Sequence, residues 1–364
     1  MTAGPLTVRS VRTVAVEVPM NLPLGTSAAT IRSAPLLLLD LETEEGVTGR
    51  SYVFCYLPAA APAIAQLVAE ALRAIKGEAV APLQIQAKLA RRFTLIGLQG
   101  IVRMAVSALD VACWDALAVA AGKPLASMLG GAPRPIPAYN SNGLGLMQPE
   151  AAADEAEKLL EGGFRAVKLR LGHPTLEADL AAVRAVRRRL PDDIALMVDF
   201  NQALTVAEAI RRGRVLDGEG LYWIEEPIRH DDFRGCAKVA RELATPVQIG
   251  ENFSLPQAMA EAIAAGASDY VMPDLERIGG VTGWQRASAL AAAHGLEVSS
   301  HLFPEVSAHL LAVAPTCHWL EYVDWANAIL AEPLRVLDGN ALVPDRPGTS
   351  LAWNEDAVRR YRMP

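Results

Sequence analysis

The chain has 364 residues, is 51% hydrophobic and carries a formal net charge of −7. That length holds one large domain or two of ordinary size, with material for a full core. The negative balance argues against a nucleic-acid partner, which calls for a basic face, but leaves room for a local positive pocket that takes a small anion. Met1–Ser10 lacks a charged segment followed by an apolar one, so no signal peptide is expected. The longest apolar runs, such as Pro35–Leu39, are far too short to span a bilayer. Cys55, Cys113, Cys236 and Cys317 are scattered without a CxxC pair, which argues against a disulfide framework or a zinc site and for a reducing cytoplasm.

Val8–Val18 alternates, and Leu36–Leu41 is a continuous apolar run ending at the turn Glu44-Glu45-Gly46, so both predict strands. Between them Asn21–Ser33, rich in small residues, predicts a mobile loop. Ala59–Ala120 reads as helical; Ile101–Ala121 is apolar nearly all round, with Asp110 and Asp115 set into it, and such a helix is buried. Gly130-Gly131 with Pro133, Pro135 and Pro137 marks a domain boundary. Beyond it, short apolar or β-branched runs recur at Ile136–Asn140, Ala166–Leu171, Leu196–Asn201 and Leu221–Glu225. They continue at Val247–Gly250, Tyr270–Met272, Glu297–Ser300 and His318–Val323, with Ala-, Glu- and Arg-rich helical stretches between most of them. Such βα units predict a closed barrel of the TIM type, whose catalytic groups stand where strands end at the C-terminal face. The last connection, Leu302–Cys317, is shorter than the others. The expected organisation is α/β: an α+β capping domain over 1–131, a modified TIM-type barrel over 132–325, and a tail over 326–364 that returns to the capping domain.

Three successive predicted strands end in acid: Asp199 in Val-Asp-Phe-Asn, Glu225 in Ile-Glu-Glu-Pro and Glu251 in Gly-Glu-Asn. An acidic residue after a strand can simply cap the next helix. Three in succession, two of them followed closely by Asn201 or Asn252, instead predict carboxylates converging on the barrel mouth. Three hard oxygen donors suit magnesium better than zinc. The next two runs end in Asp274 and His301, where the carboxylate can orient and charge-balance an imidazole base. His173, His230, His294, His309 and His318 lack that combination and read as structural. In Val167-Lys168-Leu169-Arg170, alternation points Lys168 and Arg170 the same way, into the mouth, rather than into solvent as a basic pair. Glu321, a fourth acidic strand end, would donate a hydrogen bond to a developing enolate oxygen if protonated.

These residues resemble, in this order, the enolase superfamily and its mandelate racemase subgroup. The segments GFRAVK, MVDFNQ, WIEEP, GEN, MPD, RIGGVTGWQRASALA, SSHLF, SAHLLA and HWLE carry the resemblance, and ALDVACWDAL and KPLASMLGG extend it into the N-terminal region. Sites of this superfamily pair a Lys or His base with magnesium that stabilises an ene-diolate. The resemblance implies a (β/α)7β barrel and a homo-oligomer, an octamer, acting on a small carboxylate. It places magnesium on Asp199, Glu225 and Glu251, makes His301 with Asp274 the base for the R enantiomer, and makes Glu321 the electrophilic acid. It gives Lys168, Ser141 and Asn201 to substrate binding, and builds an apolar wall from Leu24, Ile31, Phe54, Tyr56, Leu302 and Val323. The Asn21–Ser33 segment would close over the pocket. One departure stands out: the subgroup's KxK reads Lys168-Leu-Arg170, and arginine is a poor base. The expected activity is racemase-like proton abstraction from a 2-hydroxy acid with an apolar side chain. The alternatives are an acid-sugar dehydratase using His301, a non-catalytic metal-binding paralogue, and a Schiff-base aldolase using Lys168.

Overall fold

The computed structural model describes residues 5–27 and 29–364. The alternation at the start of the chain gives β1 (Val8–Gly25), which pairs antiparallel with β2 (Thr30–Thr43). Beyond Pro19, where the register shifts, pairing resumes as Leu24 opposite Ile31 and Gly25 opposite Thr30. The segment expected to be a mobile loop is therefore mostly the far end of a long hairpin, with Ala28 outside the described residues. Leu22 and Leu24 continue the strand's alternation, and that pattern outweighs the small-residue composition. A third strand not anticipated, β3 (Thr48–Phe54), completes the sheet on the other edge of β2.

Helices α1 (Ala60–Ile75) and α3 (Gly100–Ala120) cover this sheet, and α2 (Pro82–Arg92) packs against both. α3 is buried on almost every side, as its apolar circumference requires. Gly49 permits the close approach of β3, since a Cβ there would overlap the carbonyl oxygen of Ala112. The two acids inside α3 act as ties. Asp115 accepts from Arg50 N at 2.7 Å and Thr349 Oγ1 at 2.7 Å, joining β3 and the C-terminal tail. Asp110 accepts from Thr282 N at 2.9 Å and Thr282 Oγ1 at 2.6 Å, joining the helix to the barrel; burial pushes its carboxyl up to about 7.

After a short α4 (Leu125–Met128) the barrel begins. Its parallel strands are β4 (Pro135–Asn140), β5 (Ala166–Arg170), β6 (Ala195–Asp199), β7 (Ile224–Glu225), β8 (Val247–Ile249) and β9 (Tyr270–Val271). The intervening helices are α5 (Pro149–Lys158), α6 (Leu176–Arg189), α7 (Val206–Leu216), α8 (Phe233–Glu242) and α9 (Leu255–Ala265). α10 (Leu275–Ile278) and α11 (Gly280–Ala293) follow β9. The run Glu297–Ser300 pairs only through single bridges, Val298 to Val271 on one side and to Cys317 on the other. Helix α12 (Pro304–Val313) then leads to β10 (Leu320–Tyr322), which pairs with β4 and closes the barrel. Tyr139, Met197 and Trp223 fill the interior with apolar bulk below the mouth, so the barrel is a packed core and not a pore.

The tail does more than return to the first sheet. Its hairpin of β11 (Val336–Leu337) and β12 (Asn340–Leu342) pairs antiparallel with β4 before the chain reaches the capping sheet. There Trp353 Nε1 donates to Asp40 at 2.7 Å, and α13 (Glu355–Tyr361) ends where Arg362 bridges Val16. Among the described residues no helix is long and apolar enough to cross a membrane.

Candidate active site

Parallel register brings the predicted side chains together. Arg170 stands opposite Asp199, and Asp199 opposite Glu225, so adjacent strands deliver charged groups at one depth. Glu251 follows β8 after Gly250, whose φ of 136° lies in glycine territory and turns the chain back over the mouth. One carboxylate oxygen each from Asp199, Glu225 and Glu251 lie within 4.8 Å of one another. That spacing and the all-oxygen donor set fit a hard divalent cation.

Each of these acids is aimed by a neighbour. Asp199 accepts from Asn201 N at 2.7 Å and Asn201 Nδ2 at 3.0 Å, with Asn201 at φ 45°. Glu225 accepts from Trp223 Nε1 at 3.1 Å below it. Glu251 accepts from Asn252 Nδ2 at 3.0 Å, and Asn252 also donates to Glu226 at 3.3 Å. Glu226 is 1% exposed and accepts from Gly250 N at 3.2 Å; burial, then repulsion from Glu251, pushes its carboxyl well above the usual range. Trp223 and Glu226 escape sequence reasoning, although both sit in the WIEEP segment it singles out.

Lys168 is 1% exposed and ringed by three carboxylates: Glu225 at 2.6 Å, Glu321 at 2.8 Å and Asp199 at 3.4 Å. Burial works against its charge, but those acids outweigh burial and raise its affinity for the proton. Three acids around one amine favour its ammonium form, which suits holding an anion better than the free amine that Schiff-base chemistry needs. Glu321 is tied to the same ammonium. It accepts from Ser141 Oγ at 2.7 Å and Leu302 N at 2.9 Å as well as from Lys168. Burial favours its neutral form, but Lys168 and His301 overcome it and hold the carboxyl low while no substrate anion lies beside it.

Asp274 serves two neighbours at once. Its Oδ1 accepts from Glu276 N at 2.8 Å and Arg277 N at 3.0 Å, capping α10. Its Oδ2 accepts from His301 Nδ1 at 2.6 Å, which leaves the other ring nitrogen facing the mouth. His301 Nε2 lies 3.3 Å from Glu251 and 3.9 Å from Glu321. Burial opposes charge on the ring, but Glu251, Glu321 and Asp274 together raise it to about 9.

A cavity of about 270 Å³ opens over these groups. Its charged end is Lys168, Arg170, Asp199, Glu251, His301 and Glu321. Leu24, Ile31, Phe54, Tyr56 and Leu302 form the apolar end, together with Ala29 and Trp325, which were not anticipated. Asn201 lines it too, joined by Gln202, its neighbour in the same loop. Two of the expected residues lie outside this lining. Val323 faces a separate small void beside Phe54 and Trp325. Ser141 lies fully buried beneath the cavity, where its hydroxyl donates to Glu321 and accepts from Arg170 Nη2 at 2.8 Å, so it supports the site without facing it. Arg170 is further held by Gly143 O at 2.8 Å.

Comparisons with known proteins agree with this geometry. Residues 8–130 match the mandelate racemase/muconate lactonizing enzyme N-terminal domain, and residues 151–357 match the enolase C-terminal domain-like family. An enolase from the alpha proteobacterium BAL199, crystallised with bound magnesium, is 45% identical, with a TM-score of 0.96 over 98% of this chain and 100% of that one. A Bradyrhizobium enolase complexed with magnesium and mandelic acid is also 45% identical, with a TM-score of 0.94 and full coverage of both chains, 100% each. The L-talarate/galactarate dehydratase of Salmonella typhimurium is 37% identical over 268 residues, 72% of this chain and 67% of that protein. The chain belongs to the mandelate racemase/muconate lactonizing enzyme group of the enolase superfamily.

Proposed function

We propose that the protein removes the proton α to the carboxylate of a 2-hydroxy acid with an apolar side chain, in a racemase-like reaction. His301 is the base, beside magnesium held by Asp199, Glu225 and Glu251. The observation that carries this reading is the division of the cavity into a charged end around His301 and an apolar end of Leu24, Ile31, Phe54, Tyr56 and Trp325. That division suits a molecule with a carboxylate at one end and a hydrocarbon at the other. The relative crystallised with magnesium and mandelic acid supports it.

The side chains supply the remaining chemistry. Asp274 fixes a proton on His301 Nδ1, so Nε2 is the nitrogen that meets the substrate's proton; with Glu251 engaged in holding magnesium, that carboxylate would raise the ring less and leave Nε2 its lone pair. As the proton leaves carbon, negative charge grows on the substrate carboxylate, and Lys168 is already placed to oppose it. An anion arriving beside Glu321 raises that carboxyl's affinity for a proton, which moves it toward hydrogen-bond donation. Magnesium, when bound, contributes Lewis-acid stabilisation of the same charge. The apolar wall keeps water out, which strengthens each of these interactions.

A second reading is dehydration of an acid sugar. It is favoured by Arg170, which leaves His301 as the one good base, and by the dehydratase relative. The two readings separate in deuterated buffer with magnesium, offering R-mandelate, S-mandelate and galactarate and following each by proton NMR. Loss of the α-hydrogen signal of mandelate is expected. Turnover of galactarate with mandelate untouched would replace this reading by the dehydratase, and binding without either change would make the protein a non-catalytic paralogue.

A further inference from the structure

Most of the wall that meets the substrate's side chain comes from the capping domain, yet barrel residues directly after Asp274 fasten it. β3 is an edge strand, so among the described residues its outward N–H groups have no strand partner. Cys55 N points inward, to Pro35 O at 2.8 Å; Phe54 N points outward, and Glu276 Oε2 accepts it at 3.2 Å. Glu276 reaches that amide from α10, the turn that Asp274 caps while holding His301. Arg277, next in the chain, lies over the Tyr56 ring at 4.8 Å. It also donates to Glu251 O at 3.0 Å and to Asn252 Oδ1 at 2.9 Å. Phe54 relays the contact to Tyr56, 4.4 Å away between ring centres, and to Trp325 at 5.1 Å. One helical turn thus touches the partner of the base, the backbone of a candidate metal ligand and two rings of the apolar wall. Glu276 itself is 3% exposed and lies outside the cavity lining.

We propose that Glu276, with Arg277, is a positioning residue for side-chain selectivity: it holds Phe54 and Tyr56 at a fixed distance from His301, so that the cavity reads an aromatic side chain on the acid. The inference rests on the functional reading above for what the wall recognises. A tie that served only to join the two domains would affect every substrate alike. A clamp on the wall affects those whose side chain touches it. An unmet buried N–H lets β3 shift toward another partner, and a binding loss of one such hydrogen bond is about tenfold.

Glu276→Met keeps the volume and removes the acceptor, whereas Glu276→Gln keeps an acceptor for Phe54 N. With magnesium, α-hydrogen exchange of mandelate and of lactate is measured for the parent and both variants. Glu276→Met should lower kcat/KM for mandelate roughly tenfold, mainly through KM, and leave lactate within about twofold. Glu276→Gln should restore the parent's preference. An equal fall for both acids, or lost preference in the Gln variant as well, overturns the proposal. If the parent exchanges neither acid, the functional reading falls, and backbone amide exchange at Phe54–Tyr56 decides the clamp. Faster exchange in Glu276→Met with parent-like exchange in Glu276→Gln upholds it; unchanged exchange in both overturns it. If Glu276→Met does not fold, Glu276→Ala takes its place.

Discussion

Replacing Asp274 with Asn separates the two tasks its carboxylate performs. Oδ1 caps α10 through Glu276 N at 2.8 Å and Arg277 N at 3.0 Å, and an amide oxygen can keep both contacts. Oδ2 takes the Nδ1 proton of His301 at 2.6 Å, and an amide NH₂ there cannot. The imidazole must then accept at Nδ1 and carry its proton on Nε2, the nitrogen that faces the cavity. A neutral ring in that tautomer has no lone pair to offer the substrate. The same exchange of Asp for Asn beside a catalytic histidine costs on the order of 10⁴ in rate with the geometry intact.

α-Hydrogen exchange of mandelate in deuterated buffer should therefore fall by roughly 10³ to 10⁴ in Asp274→Asn. Thermal stability should stay close to that of the parent, because the cap survives, and magnesium binding followed by calorimetry should be unchanged. Asp274→Ala removes both contacts, so it should lose the exchange and also about 1 kcal/mol of stability from the cap. Exchange within tenfold of the parent in Asp274→Asn would refute the argument, since it would mean that the orientation of His301 does not govern proton removal.

Chelator should abolish exchange and magnesium restore it, and Glu225→Gln should weaken magnesium binding at least about tenfold by calorimetry, because a charged oxygen donor is lost. The two enantiomers of mandelate should exchange at strongly unequal rates, fast from the His301 side; Arg170→Lys should raise the slow side, and equal rates in the native protein would show that Arg170 works as a base. Acid should destabilise the fold through His309, which is buried in α12 with its Nδ1 accepting from Ala126 N at 3.4 Å and is pushed down to about 4 by burial. The unfolded chain then binds more protons than the folded one between about pH 6.5 and 4, so stability is lost as pH falls through that window, by about 2 kcal/mol at pH 5. Urea titrations at about pH 7.5 and 5 should show that loss in the parent and a correspondingly smaller one in His309→Asn.

Barrel and site were legible because parallel strands turn sequence position into spatial position. An acid at the end of one short run must neighbour an acid at the end of the next, which is why Asp199, Glu225, Asp274 and His301 could be placed from spacing alone. The hairpin at Asn21–Ser33 was misread because its pairing partners are supplied by the chain itself, and small residues look alike in a loop and in a sheet end. Ser141 and Val323 sit outside the cavity lining for another reason. Each follows or ends a strand as the lining residues do, but a single residue's rotation about the strand decides whether it faces the cavity, the layer below or the neighbouring void. Glu276 had no local signal either, since its partner Phe54 lies 222 residues away.

The partners of Glu321 were hidden in the same way and bear on the two faces of the site. Alternation along β5 correctly sends Lys168 and Arg170 inward, but not to the same task. Lys168 joins Glu225, Glu321 and Asp199 directly. Arg170 reaches Glu321 through Ser141, by a 2.8 Å contact to the hydroxyl and a 2.7 Å contact from it. With Gly143 O as its other anchor, the guanidinium is pinned on the side of the cavity where a two-base racemase would need a group that can give up and take back a proton. His301, by contrast, is hinged on one carboxylate and keeps its second nitrogen free of any pairing shorter than 3.3 Å. One wall of the site is therefore built to hold charge and the opposite wall to move a proton. A lysine at Arg170 could not span to Gly143 and Ser141 together, so restoring a base there also loosens the bracket behind Glu321. The asymmetry belongs to the hydrogen-bond network as a whole, and Arg170 is the residue through which it can be changed.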